Sequence, residues 1–518
     1  MPHASTKCSC VLSALSLCAS GIALPMFATN AAGHHEKFWG KLAGLFLMEG
    51  EQRYPMPAGS DVSNLLKALK GVKGIALNTN PETTVTEGQG YAMFSAGMRK
   101  DVETLKSLVV AWQAMGQGIP KQDVSRPCGG CGASGGGWQE PRDICSASES
   151  PCLCRSVSGA YMPGWLMPVR DMGSLGSATD GDEDGITGII YLAELMNSSE
   201  VREYAVKSIV AFVNEDLGLA NPSLNSRTVP VTGEIPKELQ VMYLWRGGTC
   251  WGGYDKSSDS EDRNLCIAPA YFSPGQWRLF RDYVIEYAHL VPSPHDSVQV
   301  ARVLQSAITW GYNTLQRISC PNGLVSNWWS IPDSGWPWQG SLKCKNSGTA
   351  AGAYGADAAR MPWRVVLDYL WYPEETQQTP LFDEAGQRIG TWGAKQYANR
   401  WQREWISSIH AQRDPRTHDR PHEGGFPPLK KGVPPLRIDQ VLQPLQGFAG
   451  CKTVPLGFTA TAWNGWGGYP VVTTFQTPSD ELTPEMRQEW LDFLCDIIFP
   501  GMPTYAYYDL GQEVRCLA

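Results

Sequence analysis

The feature that most constrains the fold is a series of apolar helical patterns separated by connections rich in Gly, Pro and Trp. In one of them Ala205, Ile209 and Phe212 follow the spacing of a helix face, and Ser199 stands where a cap is expected. Similar patterns lie near residues 61–70, 88–116, 186–196, 275–288, 297–315, 358–371, 392–411 and 483–498. The best strand candidate is 469–477. We therefore predict a ring of paired helices, with functional residues in the connecting loops.

The composition narrows the class of partner. With 518 residues, 42% of them hydrophobic and 18% charged, the chain is neither disordered nor membrane-spanning. A net charge of −8 argues against a nucleic-acid partner. The 20 tryptophans suit stacking on sugar rings, but they also suit the filling of a large core. We therefore expect no nucleic-acid partner and no membrane span, and we expect a monomer.

The N-terminus has the pattern of an export signal. Lys7 precedes the apolar stretch "CVLSALSLCASGIALPMF", and small residues follow in "ATNAAG". We predict a signal over residues 1–31, cleaved after about Ala31, and a secreted or periplasmic protein. The apolar run is too short and broken to predict a membrane anchor.

Cysteine content is consistent with export. Loss of the signal leaves twelve cysteines, and disulfides are the expected state in an oxidising compartment. Five of the twelve fall between Cys128 and Cys154, inside a Cys- and Gly-rich segment at about 122–160. A zinc site is the alternative there, but the absence of a nearby histidine favours a loop held by disulfides.

An acidic stretch opens the segment 177–195, where Asp180, Asp182 and Asp184 occupy alternate positions. This spacing begins a calcium loop, but the twelfth position is Tyr191, where such a loop needs a bidentate carboxylate. Apolar residues at helical spacing follow the acids directly. The sequence favours an acidic helix N-terminus that faces a cleft, and no metal is expected.

Two further carboxylates stand at the start of apolar helical patterns. Glu87 lies beside Gly88 and Gly90, which predict a tight bend that would place the carboxylate on a cleft floor. Asp357 and Arg360 are three residues apart and share a helix face. Each position has a plain alternative, a favourable interaction with the helix dipole or a local ion pair. Helix starts on one rim of a ring converge, however, so the three acidic positions together indicate one site.

Four segments give the chain a resemblance to a known family. "VTEGQGYAM", "SATDGDED", "IAPAYFSPGQWRLF" and "YGADAARMPWRVVLDY", in this order, resemble glycoside hydrolase family 8. The resemblance runs from about residue 36 to the C-terminus. It implies an all-α-dominated (α/α)6 barrel with long loops and at most a small β element. It also implies a single catalytic domain over 32–518, cleavage of β-1,4-linked polysaccharide with inversion, and no cofactor.

The resemblance also implies roles for individual residues. By position, Glu87 is the general acid, Asp357 is the general base, and Asp180 binds and helps to distort the sugar. Further substrate-binding positions are expected at Asp182, Tyr271, Arg360, Trp165, Tyr505 and Tyr508. Tyr271 matches a tyrosine near the catalytic water, and Trp165 matches one that stacks on a sugar. Core packing is the alternative for Trp165 and for the C-terminal tyrosine pair.

Inversion sets the requirements for the two catalytic groups. A protonated carboxyl group must donate to the leaving oxygen, while an ionised one activates water on the opposite face of the ring. A separation of roughly 6.5–9.5 Å leaves room for that water. We expect partial burial or the charge of Asp180 to keep Glu87 protonated, and Arg360 to favour the charged form of Asp357.

Departures from the family pattern keep other functions open. Ala356 stands before the base where a tyrosine is usual, Ala268 replaces an asparagine, and Gly185 replaces a bulkier residue. A β-glucan is the expected substrate, with xylan and chitosan as rivals. A non-catalytic polysaccharide-binding protein on the same scaffold is the alternative of another class. A polysaccharide lyase is less favoured, since it would need a Tyr or His base and a cationic cleft.

Overall fold

The computed structural model describes most of the chain between residues 84 and 411. The described residues are 47–49, 73–75, 84–117, 161–167, 177–219, 226–229, 235–248, 266–332, 335–341, 357–411, 425–426, 436–437, 440–444, 451–455, 474, 477–478, 480 and 483–485. The predicted export signal, the Cys- and Gly-rich segment, the predicted helix at 61–70, and Tyr505 and Tyr508 lie outside the described residues. Most of the predicted strand at 469–477 and of the predicted helix at 483–498 also lies outside them.

Within the described residues between 84 and 411, helices form at the predicted positions. The α-helices are α1 Thr86–Met98, α2 Val102–Gln117, α3 Thr179–Met196, α4 Ser199–Glu215, α5 Pro274–Glu286, α6 Ser297–Ile318, α7 Met361–Trp371, α8 Pro373–Gln377 and α9 Ala394–Ala411. Short 3-10 helices lie at Lys237–Leu239, Pro269–Tyr271, Ala288–Leu290, Pro337–Gln339 and Ala358–Arg360. The apolar pattern at 88–116 is two helices, separated by a turn in which Lys100 has a φ of 59°.

Polar side chains fix two helix starts. The Ser198 hydroxyl accepts a hydrogen bond from the Val201 amide at 3.4 Å, so Ser198 is the cap of α4 and the predicted cap, Ser199, is wrong by one residue. Asp296 caps α6 by accepting from the Gln299 amide at 2.9 Å. In both caps the side chain is short, so its oxygen lies close enough to the backbone to accept a hydrogen bond from an unpaired amide of the first turn.

The helices pack in two layers. Helices α1, α3, α5 and α7 pack side by side in the inner layer, and α2, α4, α6 and α9 pack against their outer sides. The fold is the (α/α)6 barrel that the resemblance implied. An inner helix is covered on all sides, and α3 is accordingly buried from Thr179 to Glu194. Polar groups on these helices therefore need partners inside the protein.

The described strands form two-stranded antiparallel sheets. They are β1 Leu47–Glu49, β2 Lys73–Ile75, β3 Thr84–Val85, β4 Leu166–Met167, β5 Ser226–Thr228, β6 Val241–Tyr243, β7 Cys266–Ile267, β8 Trp329–Ser330, β9 Pro380–Phe382, β10 Arg388–Thr391, β11 Gly425–Phe426, β12 Leu436–Arg437, β13 Gln440–Pro444 and β14 Cys451–Pro455. Strand β3 leads directly into α1, and β7 precedes the 3-10 turn that carries Tyr271. None of the helices in the described part of the chain has the length and apolar character of a membrane span.

Disulfides are present, in agreement with the cysteine analysis, and one of them connects distant parts of the chain. Cys320 follows α6 and is bonded to Cys451 at the start of β14, 131 residues later. Cys266 in β7 is also disulfide-bonded. The five cysteines between Cys128 and Cys154 lie outside the described residues, so the choice between disulfides and zinc there stays a prediction.

Candidate active site

One guanidinium group contacts three acidic side chains at the start of the inner helices. Arg360 Nη1 donates to Glu87 Oε1 at 2.9 Å, and Nη2 donates to Asp357 Oδ1 at 2.7 Å. Nη1 also contacts Oδ2 of Asp180. Glu87 and Arg360 are 273 residues apart in the sequence, so this cluster is a product of the barrel.

The barrel places these side chains through the first turns of its inner helices. Glu87 lies in the first turn of α1, and Asp180 lies in the first turn of α3. Asp357 immediately precedes the 3-10 turn Ala358–Arg360, which continues into α7. Because the partial positive charge at a helix start favours a carboxylate, each acid is locally stabilised there. The three helix starts meet at the same end of the barrel.

The four side chains differ in their access to solvent. Glu87 and Asp357 are 19% and 32% exposed, whereas Asp180 and Arg360 are 2% and 5% exposed. Since the terminal nitrogens of one guanidinium lie about 2.3 Å apart, the bound oxygens of Glu87 and Asp357 are at most about 8 Å from each other. The two acids that reach solvent are therefore close together and bind the same cation.

Burial controls the electrostatics of the cluster. Burial raises the pKa of Asp180 to about 6, with the positive charge of Arg360 opposing this shift and the nearby Glu87 adding to it. The ring of Tyr271 lies 5.3 Å from the Arg360 guanidinium carbon, a cation–π contact. Burial also raises the pKa of the Tyr271 hydroxyl, so Tyr271 acts as a neutral hydrogen-bonding group across the physiological range. The cluster contains three carboxyl groups and one guanidinium group, so full ionisation would leave two negative charges without a partner in the cluster. This imbalance favours retention of a proton by one of the carboxyl groups.

Asp182 and Trp165 take other positions. Asp182 is fully buried on another side of α3, where its carboxyl group faces Asp216 instead of Arg360. Trp165 is half-buried, and its carbonyl accepts from the Thr86 amide at 2.9 Å, one residue before Glu87. The backbone of Trp165 therefore lies beside the cluster. Asp182 does not contact Arg360 and lies on a different side of α3.

The calcium-loop alternative for the acidic stretch is wrong, because the stretch is helical. The three acids at alternate positions contact different groups, Arg360 for Asp180, Asp216 for Asp182 and Arg364 for Asp184, so they do not converge on one point as calcium ligands do. Asp184 accepts from Arg364 Nη2 at 3.1 Å, and Glu183 pairs with Nη1 of the same group at 2.5 Å. Arg364 Nη2 also donates to the Asp180 carbonyl at 3.2 Å. Arg364 thus holds the backbone of Asp180 from inside the barrel.

Two contributors to the cluster were missed by the sequence analysis. Tyr91 donates from its hydroxyl to Glu87 Oε1 at 2.6 Å, and the two residues are four apart on α1. That spacing is itself a signal, because residues i and i+4 share a helix face. Gln276 on α5 donates to Asp184 Oδ1 at 3.0 Å and to the Glu183 carbonyl at 3.2 Å. Its partners are more than 90 residues away, so no local pattern could reveal them.

The tight bend predicted at Gly88 and Gly90 is wrong, because both glycines lie within α1. Gly90 instead allows α1 to approach α3. A Cβ added to it would lie 2.8 Å from the Gly181 carbonyl oxygen, closer than carbon and oxygen can pack. Gly181 has the reciprocal role, since a Cβ there would lie 2.8 Å from the Glu87 amide nitrogen. The glycines bring the helices that carry Glu87 and Asp180 into backbone contact.

One of the departures from the family pattern, Gly185, has a structural explanation. A Cβ on Gly185 would lie 2.4 Å from the ring of Trp112, so the large indole of α2 occupies the space that a bulkier residue would need. The Ala268 carbonyl accepts from the Trp245 indole at 2.7 Å, and its side chain is buried. Ala356 lies outside the described residues.

Solved structures with a similar fold are glycan-cleaving enzymes. A β-1,3-1,4-glucanase from Paenibacillus sp. X4 superposes with a TM-score of 0.53 at 14% identity, over 95% of this chain and 93% of that one. A reducing-end-xylose releasing exo-oligoxylanase gives 0.51 at 13% identity, over 95% and 92% of the two chains. These likenesses establish the fold.

Sequence comparison finds more distant relatives. Endoglucanase 2 of Ruminiclostridium josui is 23% identical over 208 residues, which are 39% of this chain and 33% of the relative. Endoglucanase C of Ruminiclostridium cellulolyticum is 23% identical over 203 residues, 38% of this chain and 32% of the relative. The matched region thus spans about a third of the length of these curated relatives. No family model matches the sequence. The resemblance to glycoside hydrolase family 8 is confirmed by these matches together with the shared fold.

Proposed function

We propose that the chain is an inverting glycoside hydrolase that cleaves β-1,4-linked polysaccharide within the polymer. The observation that carries the proposal is the contact of Arg360 with Glu87, Asp180 and Asp357 at one end of the barrel. A limit of about 8 Å between the bound oxygens of Glu87 and Asp357 is compatible with the separation of roughly 6.5–9.5 Å that inversion uses. Both carboxyl groups reach solvent, as groups that meet a substrate and a water must.

Glu87 is the general acid in this proposal. Its Oε1 already accepts hydrogen bonds from Tyr91 and Arg360, so the proton is expected on Oε2. Protonation of the glycosidic oxygen by Glu87 breaks the bond to the anomeric carbon, and Asp357 removes a proton from the water that attacks the opposite face. The hydroxyl from that water ends on the anomeric carbon with inverted configuration. No metal or cofactor takes part in these steps.

The remaining residues bind and orient the sugar. Asp180 is proposed to hydrogen bond to a ring hydroxyl, and Arg360 keeps the three carboxyl groups apart while it balances their charge. Tyr271 packs on Arg360 and limits its movement. Trp165 is half-buried, and its backbone carbonyl is bonded to the residue before Glu87, so its indole is proposed to stack on a pyranose.

A β-glucan is the proposed substrate. The matched relatives are named as endoglucanases, and one structural neighbour as a β-1,3-1,4-glucanase. Xylan is the first rival, because another neighbour is named as an oligoxylanase. We also propose that the protein works outside the cytoplasm as a monomer, a location supported by the Cys320–Cys451 disulfide.

The first experiment measures reducing ends released from carboxymethylcellulose, lichenan, xylan and chitosan. Lichenan or carboxymethylcellulose should give the highest rate. Glu87→Gln and Asp357→Asn should each lower kcat by about 10³-fold, because each removes one proton transfer. Proton NMR of the first product should show the α anomer, since inversion of a β linkage yields it.

Glu200→Gln is the matched control, because Glu200 is an exposed acid in the first turn of an outer helix. It should leave kcat unchanged, and all three variants should keep the thermal unfolding temperature within a few degrees. Full activity of either Glu87→Gln or Asp357→Asn would contradict the assignment. Saturable binding of oligosaccharides without new reducing ends would support the non-catalytic alternative, and products that absorb in the ultraviolet would indicate a lyase.

A further inference from the structure

Two buried carboxyl groups face each other behind Asp180. Asp182 lies in the first turn of α3, and Asp216 is the C-cap of α4. Neither side chain has measurable exposure to solvent. Their carboxyl groups lie within hydrogen-bonding reach of each other. Two carboxylates both only accept hydrogen bonds, so a bond between these groups requires a proton on one of them.

The surroundings also favour a retained proton. The polar groups that face the pair come from α3, from the end of α4 and from the connections next to them: Ser177, Thr179, Asp180, Glu215 and Arg246. Arg246 opposes the negative charges of both Asp216 and Glu215. Burial raises the pKa of Asp216 to about 8 and that of Glu215 to about 7. Burial and the charge of Asp216 raise the pKa of Asp182 as well.

Backbone contacts connect the pair to the active-site cluster. The Arg246 amide donates to the Asp216 carbonyl at 3.0 Å, and the Arg246 carbonyl accepts from the Thr179 hydroxyl at 3.0 Å. The Thr179 amide donates to the Gly247 carbonyl at 3.2 Å. Thr179 directly precedes Asp180 in the first turn of α3. These hydrogen bonds connect the backbone of Asp216 to the residue that precedes Asp180.

We propose that Asp182 and Asp216 form a carboxyl dyad that shares one proton and positions Asp180 for the reaction. The positioning role rests on the proposed function, whereas the shared proton does not. When the proton leaves, two like charges remain in contact inside the protein, where they repel strongly. The first turn of α3 then separates from the end of α4, and Asp180 moves away from Arg360. The dyad thus sets an alkaline limit on the geometry of the cluster.

Asp216→Asn tests the dyad directly. An amide donates to the Asp182 carboxylate as a protonated acid does, but it has no proton to lose in this range. In the wild type the folded state retains a proton that the unfolded chain releases, so stability decreases as the pH rises from about 4 through about 8. The unfolding temperature of Asp216→Asn should therefore fall less between pH 5 and 8 than that of the wild type. The alkaline decrease in kcat should move up by about one pH unit.

Three comparisons complete the design. Asp182→Asn should reproduce the flattened stability profile, since either amide can replace the shared proton. Asp216→Ala, which can neither donate to Asp182 nor fill the space of the carboxyl group, should lower the unfolding temperature at every pH and lower kcat. Glu200→Gln changes an exposed acid at the opposite end of α4 from Asp216, so it should retain the wild-type profile.

Wild-type pH profiles of unfolding temperature in both Asn variants would overturn the dyad. If neither variant folds, the infrared spectrum of the wild type is measured instead. Absence of a carboxylic-acid carbonyl band at pH 7 would overturn the proposal. A carbonyl band that is present at pH 7 and disappears above pH 9 would support it. These two readouts do not depend on catalysis. A flattened stability profile in a protein that cleaves no glycan would therefore retain the dyad and reject the proposed function.

Discussion

Tyr91 determines which oxygen of Glu87 is engaged by the protein. Its hydroxyl and Arg360 Nη1 both donate to Oε1, at 2.6 Å and 2.9 Å. Tyr91 is 1% exposed, so its hydroxyl cannot be replaced readily by water. A carboxyl group held by one oxygen presents the other in a fixed direction. The orientation of the Glu87 carboxyl group, which is the acid of the proposed mechanism, is thus set in part by a residue one helical turn away.

Tyr91→Phe should lower kcat by about 10-fold, because one buried hydrogen bond of about 1–1.5 kcal/mol that orients Glu87 is lost. KM should change little, since the ring is retained and no sugar contact is removed. Steady-state kinetics on soluble β-glucan measures both constants. Tyr397→Phe is the matched control: Tyr397 is equally buried and donates to the Gly323 carbonyl at 3.0 Å, so it should change stability without changing kcat. An unchanged kcat in Tyr91→Phe would show that Arg360 alone orients Glu87.

The contact between α1 and α3 is made by glycines from both helices. In addition to the Gly90–Gly181 contact, a Cβ on Gly188 would lie 2.6 Å from the Cβ of Met93, and one on Gly97 would lie 2.8 Å from the Cβ of Tyr191. The helices therefore approach closely along their whole length, and a methyl group at any of these positions must separate them locally. At the Gly181 end, such a separation occurs next to Glu87 and Asp180.

Gly181→Ala should lower kcat by about 10- to 100-fold, because the added methyl group pushes α3 away from the Glu87 backbone. It should also destabilise the protein by about 1–3 kcal/mol through overpacking. Gly188→Ala is the control, since it overpacks the same helix pair two turns away from the acids. Thermal unfolding and kcat of the two variants separate the effects. If Gly181→Ala and Gly188→Ala lowered kcat equally, the positions of Glu87 and Asp180 would depend on packing anywhere between α1 and α3.

The same two helices show what the sequence could predict. Helical periodicity located α3 and its acidic first turn, because apolar spacing depends only on the segment itself. It did not predict that Gly90 contacts Gly181, because the space that a glycine leaves for a partner is invisible along one chain segment. The partners of Asp182 and Asp184 were missed for the same reason. Tyr91 is different, since its spacing from Glu87 was available in the sequence.

At the scale of the whole molecule, α7 carries a line of charged side chains through the barrel. Arg360, Arg364 and Asp368 are four residues apart and lie on one face of the helix segment. Arg360 binds the acidic cluster, Arg364 binds Glu183 and Asp184, and Asp368 pairs with Arg278 at 2.7 Å. Buried ion pairs add little net stability, but loss of one partner leaves a buried charge. Because Arg360, Arg364 and Asp368 pair with residues of α1, α3 and α5, these ion pairs favour one alignment of α7 with the other inner helices.

The Cys320–Cys451 disulfide acts at the same scale, because it closes a loop of 131 residues that includes α7, α8 and α9. Such a loop restricts the unfolded chain strongly, so Cys320→Ala should lower the free energy of unfolding by about 4 kcal/mol. Urea unfolding followed by tryptophan fluorescence measures the loss. Cys320→Ala/Cys451→Ala should lose no more than the single variant, since one bond is removed in both, and kcat should persist below the transition. An unchanged urea midpoint in Cys320→Ala would mean that packing alone holds β14 against the end of α6.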